Sequence, residues 1–327
     1  MRLLADIGGT HARFALQAAA GAPLTQVRTL VVAAYPSFQT ALHDYLTSAG
    51  QPVLQQAAIG IACPVTGDVV AMTNAPWTFS IAAMRADLGL ERLVATNDFT
   101  ALALGLPSLA AHEVHRLAGS GNGPHPAHAV CALIGPGTGL GVSGLVPQGA
   151  QGWRALSGLG GHVTLAATTP REWAVAQWLT ARFGHASAER VLSGQGLENL
   201  HRALAELDGE PATPAPSAAE VLAGDTARCR EARALFCAWL GQVAGDLMLT
   251  LGAVGGVYVG GGIVPRMLAE LEQSTFLARL QNKGRFSDYV AAAPVWVVTA
   301  AASPALLGAA RMLDQPSTGF AGVSSSS

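Results

Sequence analysis

Two glycine-threonine loops and one Asn-Asp pair are the parts of this sequence whose residue types can do chemistry. Gly8-Gly9-Thr10 and Gly137-Thr138-Gly139 each follow a short apolar run and lead into another. A tip of this kind offers backbone N–H groups and a hydroxyl to a phosphate, and two such tips can clamp a polyphosphate from opposite sides. Without a ligand they are simply tight hairpin turns. Neither is a P-loop, because no Gly-Lys-Ser/Thr follows, and a dinucleotide fingerprint fits poorly because both loops lead into strands. A third cluster, Gly260-Gly261-Gly262, follows the apolar residues 257–259. Asn97-Asp98 ends the run 93–96. A sugar or alcohol hydroxyl has a pKa far above neutrality, so phosphoryl transfer to it needs a carboxylate that accepts the proton. The commoner duty of an aspartate in that place is to cap a helix, and the residues alone leave both readings open.

The elements that position these groups read as alternating strands and helices. Residues 2–6 and 11–16 form a hairpin around the first loop, 25–33 a third strand, and 57–63 and 93–96 two more. Phe38, Leu42, Tyr45 and Leu46 share one helical face, and 99–109 reads as a helix. This β-β-β-α-β-α order describes an α/β layer with a carboxylate at the C-terminal edge of a strand, where open α/β sheets bind ligands. A second hairpin, 130–134 with 142–146, echoes the first. Thr169-Pro170-Arg171-Glu172 and Ser217 with Glu220 carry helix N-terminal signatures. A long core helix is expected within 229–250, strands at 257–259 and 295–298, and a closing helix at 304–313. The turn-rich stretch 119–128 suggests a domain junction, and the polar segment 314–327 is expected to be a disordered tail.

Composition narrows the classes. The 327 residues are enough for two domains with real cores, and 50% apolar against 12% charged residues excludes a disordered chain. With 19 basic and 21 acidic residues the net charge of -2 leaves no basic excess for a nucleic-acid backbone. A mean hydropathy of +0.34 raises the question of a membrane span. The uncharged stretches 117–153 and 247–265 are broken by glycine and proline, so no span is expected from them. No basic-then-apolar leader precedes Asp6, so no export signal is expected. Cys63, Cys131, Cys229 and Cys237 lack metal-type spacing and are few for a disulfide framework; buried free thiols in a reducing cytoplasm are expected.

Six segments together resemble the bacterial ATP-dependent glucokinase family: Asp6-Ile7-Gly8-Gly9-Thr10-His11-Ala12-Arg13, Thr96-Asn97-Asp98-Phe99-Thr100-Ala101, Gly135-Pro136-Gly137-Thr138-Gly139-Leu140-Gly141, Gly160-Gly161-His162, Ser187-Ala188-Glu189-Arg190-Val191-Leu192-Ser193-Gly194 and Gly260-Gly261-Gly262-Ile263-Val264-Pro265-Arg266. The likeness runs in order from residue 3 to about 313. It implies the two-domain hexokinase/actin-like (ribonuclease H-like) α/β fold, with the active site in the interdomain cleft. A small domain would span 1–110 plus 301–316 and a large one 111–300, with 317–327 as tail. It implies ATP and Mg²⁺, a homodimer, and small-molecule sugar and ATP as partners.

By that resemblance Asp98 is the general base on the sugar 6-hydroxyl, and Asn97 binds a neighbouring hydroxyl. Gly8, Gly9, Thr10 and His11 form the first phosphate loop, Gly137, Thr138 and Gly139 the second, and Asp6 helps hold the Mg²⁺ shell through water. Gly261 and Gly262 let the adenosine approach, while His162 and Glu189 hydrogen-bond sugar hydroxyls. Asn74 belongs to a family loop near the sugar, although a turn asparagine explains it equally well. Two positions depart from the family pattern. His11 stands in place of asparagine. Leu159 replaces a glutamate that accepts hydrogen bonds from the sugar, which predicts weakened or shifted sugar preference. The leading reading is ATP:glucose 6-phosphotransferase; the alternatives are a kinase for another hexose or aminosugar, or a catalytically weak sugar-sensing homologue. A DNA-binding relative is not expected, because the first phosphate hairpin begins at once, with no helix-turn-helix segment or Cys-rich zinc motif.

Overall fold

The computed structural model describes residues 1–73, 75–119, 128–210, 216–300 and 303–315. The expected junction within 119–128 and the tail 317–327 therefore lie largely or wholly outside the described residues. Cα proximity separates two units. The first comprises Met1–Ala110, Leu145–Ser157 and the described residues from Ala300 on; the second comprises Ala111–Gly144 and Gly158–Thr299. Residues 145–157, which the sequence reading gave to the large domain, group with the first unit. There Ser157 meets Thr100 hydroxyl to hydroxyl at 3.3 Å, and the Gln315 amide donates to the Trp153 carbonyl at 2.7 Å.

The first unit begins β1 (Arg2–Ile7), β2 (His11–Gln17), β3 (Leu24–Val31), α1 (Phe38–Ser48), β4 (Gln56–Ile61), β5 (Val69–Ala71), β6 (Thr78–Ser80), α2 (Ile81–Asp87), β7 (Arg92–Asn97) and α3 (Asp98–Gly105). Its main sheet has the order β3-β2-β1-β4-β7. The β1–β2 and β2–β3 pairs are antiparallel and the β1–β4 and β4–β7 pairs parallel. β1 and β4 are apolar on both faces because both are covered, whereas β3, at the edge, exposes Thr25, Val27 and Thr29. Phe14 stacks on Tyr45 at 5.0 Å and Phe38 on Phe79 at 4.8 Å, so α1 docks through the face that the sequence predicts. The helix expected over 99–109 starts one residue earlier and stops at Gly105. Pro107 has no N–H to continue the α-helical ladder, and 106–108 form a 3-10 segment in which Leu106 keeps helical dihedrals. The β5–β6 hairpin and α2 are additions to the expected order.

The chain continues through β8 (Val114–Ala118), β9 (Cys131–Pro136), β10 (Leu140–Pro147), β11 (Trp153–Ser157), α4 (Pro170–Phe183), α5 (Gly194–Leu207), α6 (Ala218–Ala223), α7 (Ala227–Leu251), β12 (Gly256–Val259), α8 (Leu268–Gln273), α9 (Phe276–Gln281), α10 (Ser287–Ala291) and β13 (Val295–Val298). The strand order is β11-β10-β9-β12-β13-β8. β12 runs parallel to both β9 and β13, and β8 pairs antiparallel with β13. α7 is long and apolar enough to cross a membrane by length and composition, and 61% of its most apolar stretch is buried in the protein. It packs closely on α9: a side chain at Gly241 or Gly245 would collide with the Phe276 or Leu280 carbonyl. Both expected capping boxes are present, at Thr169/Glu172 and Ser217/Glu220. Glu172 also accepts from Arg279 at 2.7 Å, and Arg279 bonds Gln242 as well. The indole of Trp239 and the amide of Gln242 both donate to the Ala166 carbonyl, at 2.9 and 3.0 Å.

α11 (Pro304–Asp314) returns to the first unit and crosses α3 at two glycines. A Cβ on Gly105 would strike the Pro304 carbonyl, and one on Gly308 the Ala101 carbonyl. The two backbones therefore touch with nothing between them. All four cysteines are free and buried.

Candidate active site

In the first unit the candidate residues gather at the C-terminal ends of β1 and β7. Asp6, Gly60 and Thr96 lie level across β1, β4 and β7. Gly60 keeps this row tight: a Cβ there would press on Ala101 at 2.9 Å and on the Asp98 backbone at 3.4 Å. The cap falls to Asn97, not Asp98. The Asn97 side-chain oxygen accepts from the Phe99 and Thr100 amides at 3.0 and 3.4 Å, so Asp98 becomes the first residue of α3. Asn97 thus spends its oxygen on the helix, and its side chain also hydrogen-bonds the Asp98 carboxyl. The Asp98 carboxyl is pushed up to about 7, first by burial and then by the Asp6 charge, against the lowering effect of the Phe99 amide. The residue keeps part of its surface accessible, while its carboxylate lies deep among protein atoms. A base poised near neutral pH is what abstraction of a hydroxyl proton calls for.

Asp6 is buried and held on one oxygen. Its Oδ2 accepts from the Ser303 hydroxyl at 2.6 Å and from Arg13 at 3.2 Å. Gly8, Gly9, Thr10 and His11 follow at the β1–β2 turn, where Thr10 and His11 are exposed. The Gly8 amide donates to the His11 carbonyl at 2.9 Å, so it closes the loop instead of pointing outward. Asn74 lies outside the described residues.

In the second unit the same device recurs. The Gly137 amide donates to the Gly139 carbonyl at 2.8 Å, closing the β9–β10 turn with Thr138 exposed at its tip. Gly260 and Ile263 run beside β9, donating to the Ile134 and Pro136 carbonyls. The two following glycines differ in kind. Gly261 has φ +81° and no room for a side chain against the Pro136 carbonyl, so the fold itself requires it. Gly262 has open space where a Cβ would be. His162 ends a 3-10 turn over Gly160–His162, its Nδ1 at 4.0 Å from Glu189 Oε1. The other Glu189 oxygen accepts from the Leu140 amide at 2.8 Å. Leu159, just before the turn, is 57% exposed. Among the described residues no group of three or more His, Cys, Asp or Glu side chains is set to hold a metal directly.

The glucokinase family profile matches residues 3–316. The chain is 53% identical to the glucokinase of Chromobacterium violaceum over 315 residues, which is 95% of this chain and 89% of that one. The chain belongs to the glucokinase family. A crystal structure of a glucokinase from an Antarctic psychrotroph superposes with a TM-score of 0.81 at 35% identity, over 96% of this chain and 99% of that one. A glucokinase from Streptomyces griseus, in complex with glucose and AMPPNP, shares the fold at a TM-score of 0.62 and 16% identity, covering 95% of this chain and 98% of that one. The fold is thus the two-domain, actin-like one of sugar kinases, and this glucokinase-family chain is a hexose-phosphorylating kinase that uses ATP.

Three contributors to this glucokinase-type site escape a reading of the sequence. Ser303 before Pro304 looks like an N-cap, yet it makes no cap bond and donates to Asp6 instead. Arg13 sits in register with Asp6 across β1 and β2. Gly60 carries no motif of its own. Only the register of Arg13 within the first hairpin could have been found, by pairing the two strands about the loop.

Proposed function

We propose that this chain transfers the γ-phosphoryl group of ATP to the 6-hydroxyl of glucose. The observation that carries the reading is the Asp98 carboxyl at the start of α3, beside the Asn97 cap, accepting the Phe99 amide on one oxygen and poised at about pH 7. Asp98 accepts the proton of the sugar hydroxyl as its oxygen bonds phosphorus and the bond from the γ-phosphorus to the bridging oxygen of ADP breaks. Asn97, His162 and Glu189 orient the sugar. The exposed tips at Gly9-Thr10 and Thr138-Gly139 receive the phosphates, with Gly8 and Gly137 shaping the loops, and Gly262 leaves space for the adenosine.

The donor set fits Mg²⁺ that nucleotide phosphates and water would chiefly hold: among the described residues no three ligating side chains converge, and Asp6 has one oxygen engaged by Ser303 and Arg13. Held there, the ion would neutralise charge on the transferred group. The relatives' shared name favours glucose over another hexose or aminosugar, and favours an enzyme over a sugar-sensing homologue. Low net charge argues against nucleic acid as a partner, and four buried free thiols suit a reducing cytoplasm. A homodimer is the assembly we propose, and sedimentation of the full chain tests it.

A coupled assay with Mg²⁺-ATP across a panel of hexoses and aminosugars tests the reading. Glucose turnover that is abolished by Asp98→Asn is expected; full turnover by that variant, or preference for an aminosugar, overturns it.

A further inference from the structure

We propose that Glu189 serves two substrates at once, positioning the second phosphate loop with one carboxylate oxygen and leaving the other for the sugar. This rests on the site reading above and extends it to the nucleotide.

The carboxylate is turned toward the β9–β10 loop. Its Oε2 accepts the Leu140 amide at 2.8 Å, directly after Gly139, while Oε1 faces His162. The contact is close at Gly139: a Cβ there would lie 2.5 Å from Oε2, so a side chain at this position must move the carboxylate end of Glu189. The segment that carries Glu189 grips the other side of the loop too. The Gly194 amide, at the start of α5, donates to the Gly137 carbonyl at 2.9 Å, and the Ser193 hydroxyl donates to the carbonyl of Glu189 itself at 2.8 Å. From behind, Gly161 packs so closely that a side chain there would strike the Leu140 carbonyl. The turn bearing His162, the segment bearing Glu189 and the phosphate loop are therefore fixed to one another by backbone contacts and a single carboxylate. Glu189 is a positioning residue for the nucleotide, and a disturbance on either side of it should be felt on the other.

Two measurements on the full chain test this. First, AMPPNP with Mg²⁺ is titrated calorimetrically in the absence of sugar. Glu189→Ala should weaken it about fivefold, the value of one ordinary hydrogen bond. Glu189→Gln should hold it within about twofold, because the amide oxygen still accepts from Leu140. Second, glucose is titrated without nucleotide against Gly139→Ala. This change lies in the phosphate loop, but its Cβ displaces the carboxylate, so glucose binding should weaken about fivefold or more by the same arithmetic. Unaltered AMPPNP affinity in Glu189→Ala, or unaltered glucose affinity in Gly139→Ala, in protein that melts as the parent does, overturns the proposal. The glucose KM of the two Glu189 variants judges the sugar role separately: an unchanged KM would remove Glu189 from the sugar site and leave its bond to the loop standing.

Discussion

Asp98 stands just past the end of β7 and Asp6 near the end of β1, separated by a single strand at Gly60, and the two carboxylates repel each other strongly enough to help hold Asp98 near pH 7. A base must be ionised to work, so kcat/KM should fall tenfold per pH unit below about pH 7 and level off above it. Asp6→Asn removes the repulsion and should move that limb to lower pH, whatever it does to the plateau. A limb that stays in place would show that burial alone sets the value.

Asp98→Asn should cost at least about a hundredfold in kcat. Its effect on folding has a definite sign. The folded value lies above that of an ordinary aspartate, so the stability contribution is complete below the aspartate range and is lost as pH rises to about 7. The asparagine variant should therefore melt above the parent at pH 8 and lose this advantage toward pH 4. Melting curves across that range check it.

Leu159→Glu should lower the glucose KM. A regained ionic hydrogen bond is worth roughly 1.5–3 kcal/mol, or about ten- to a hundredfold. Because Leu159 is 57% exposed, the substitution should leave stability within about 0.5 kcal/mol of the parent. A parent that already binds glucose as tightly as its variant would mean that the exposed leucine costs the sugar nothing.

Gly308→Ala should destabilise, although alanine favours helices by about 1 kcal/mol. The new methyl group has only the Ala101 carbonyl to enter, so α3 and α11 must separate, and overpacking of this kind typically costs roughly 1–3 kcal/mol. Since α3 begins at Asp98, turnover should fall together with the melting temperature; a variant more stable than the parent would contradict the contact.

Arg279→Met should be among the most damaging changes in the second unit. It leaves the buried Glu172 carboxylate without its partner, a loss of roughly 3–5 kcal/mol. Burial raises the Glu172 pKa, but the Arg279 and Thr168 bonds outweigh it and the net direction is down. The parent is thus stabilised above the ordinary glutamate range and loses that contribution as pH falls through the lowered value. Urea titrations at pH 7 and at acid pH should show the gap between variant and parent closing in acid.

Where the chemistry is carried by a contiguous motif, the sequence was legible. Both hairpins and their loops, the strand into Asn97-Asp98, and the capping boxes at Thr169 and Ser217 are local patterns, and each is found where it was expected. What stayed hidden depends on long-range closeness. Ser303 acts on Asp6 from the far end of the chain, Gly60 matters only because α3 lies on it, and the bond from Glu189 to Leu140 joins two motifs that read as separate sites. The division of labour within Asn97-Asp98 was also ambiguous, since both side chains can cap and only the folded geometry assigns the task.

The first unit is assembled from the first, middle and last parts of the chain, and this bears on the order in which the protein can be made. On a ribosome the strand carrying Asp6 emerges early, yet Ser303 and the helix that packs on α3 are among the last elements to appear. The second unit, drawn almost entirely from the interior of the sequence, can mature while the N-terminal sheet still waits for α11. Newly made chain should therefore gain the ability to phosphorylate sugar only once α11 has docked, and cleavage before α11 should silence Asp98, the proposed base some 200 residues upstream.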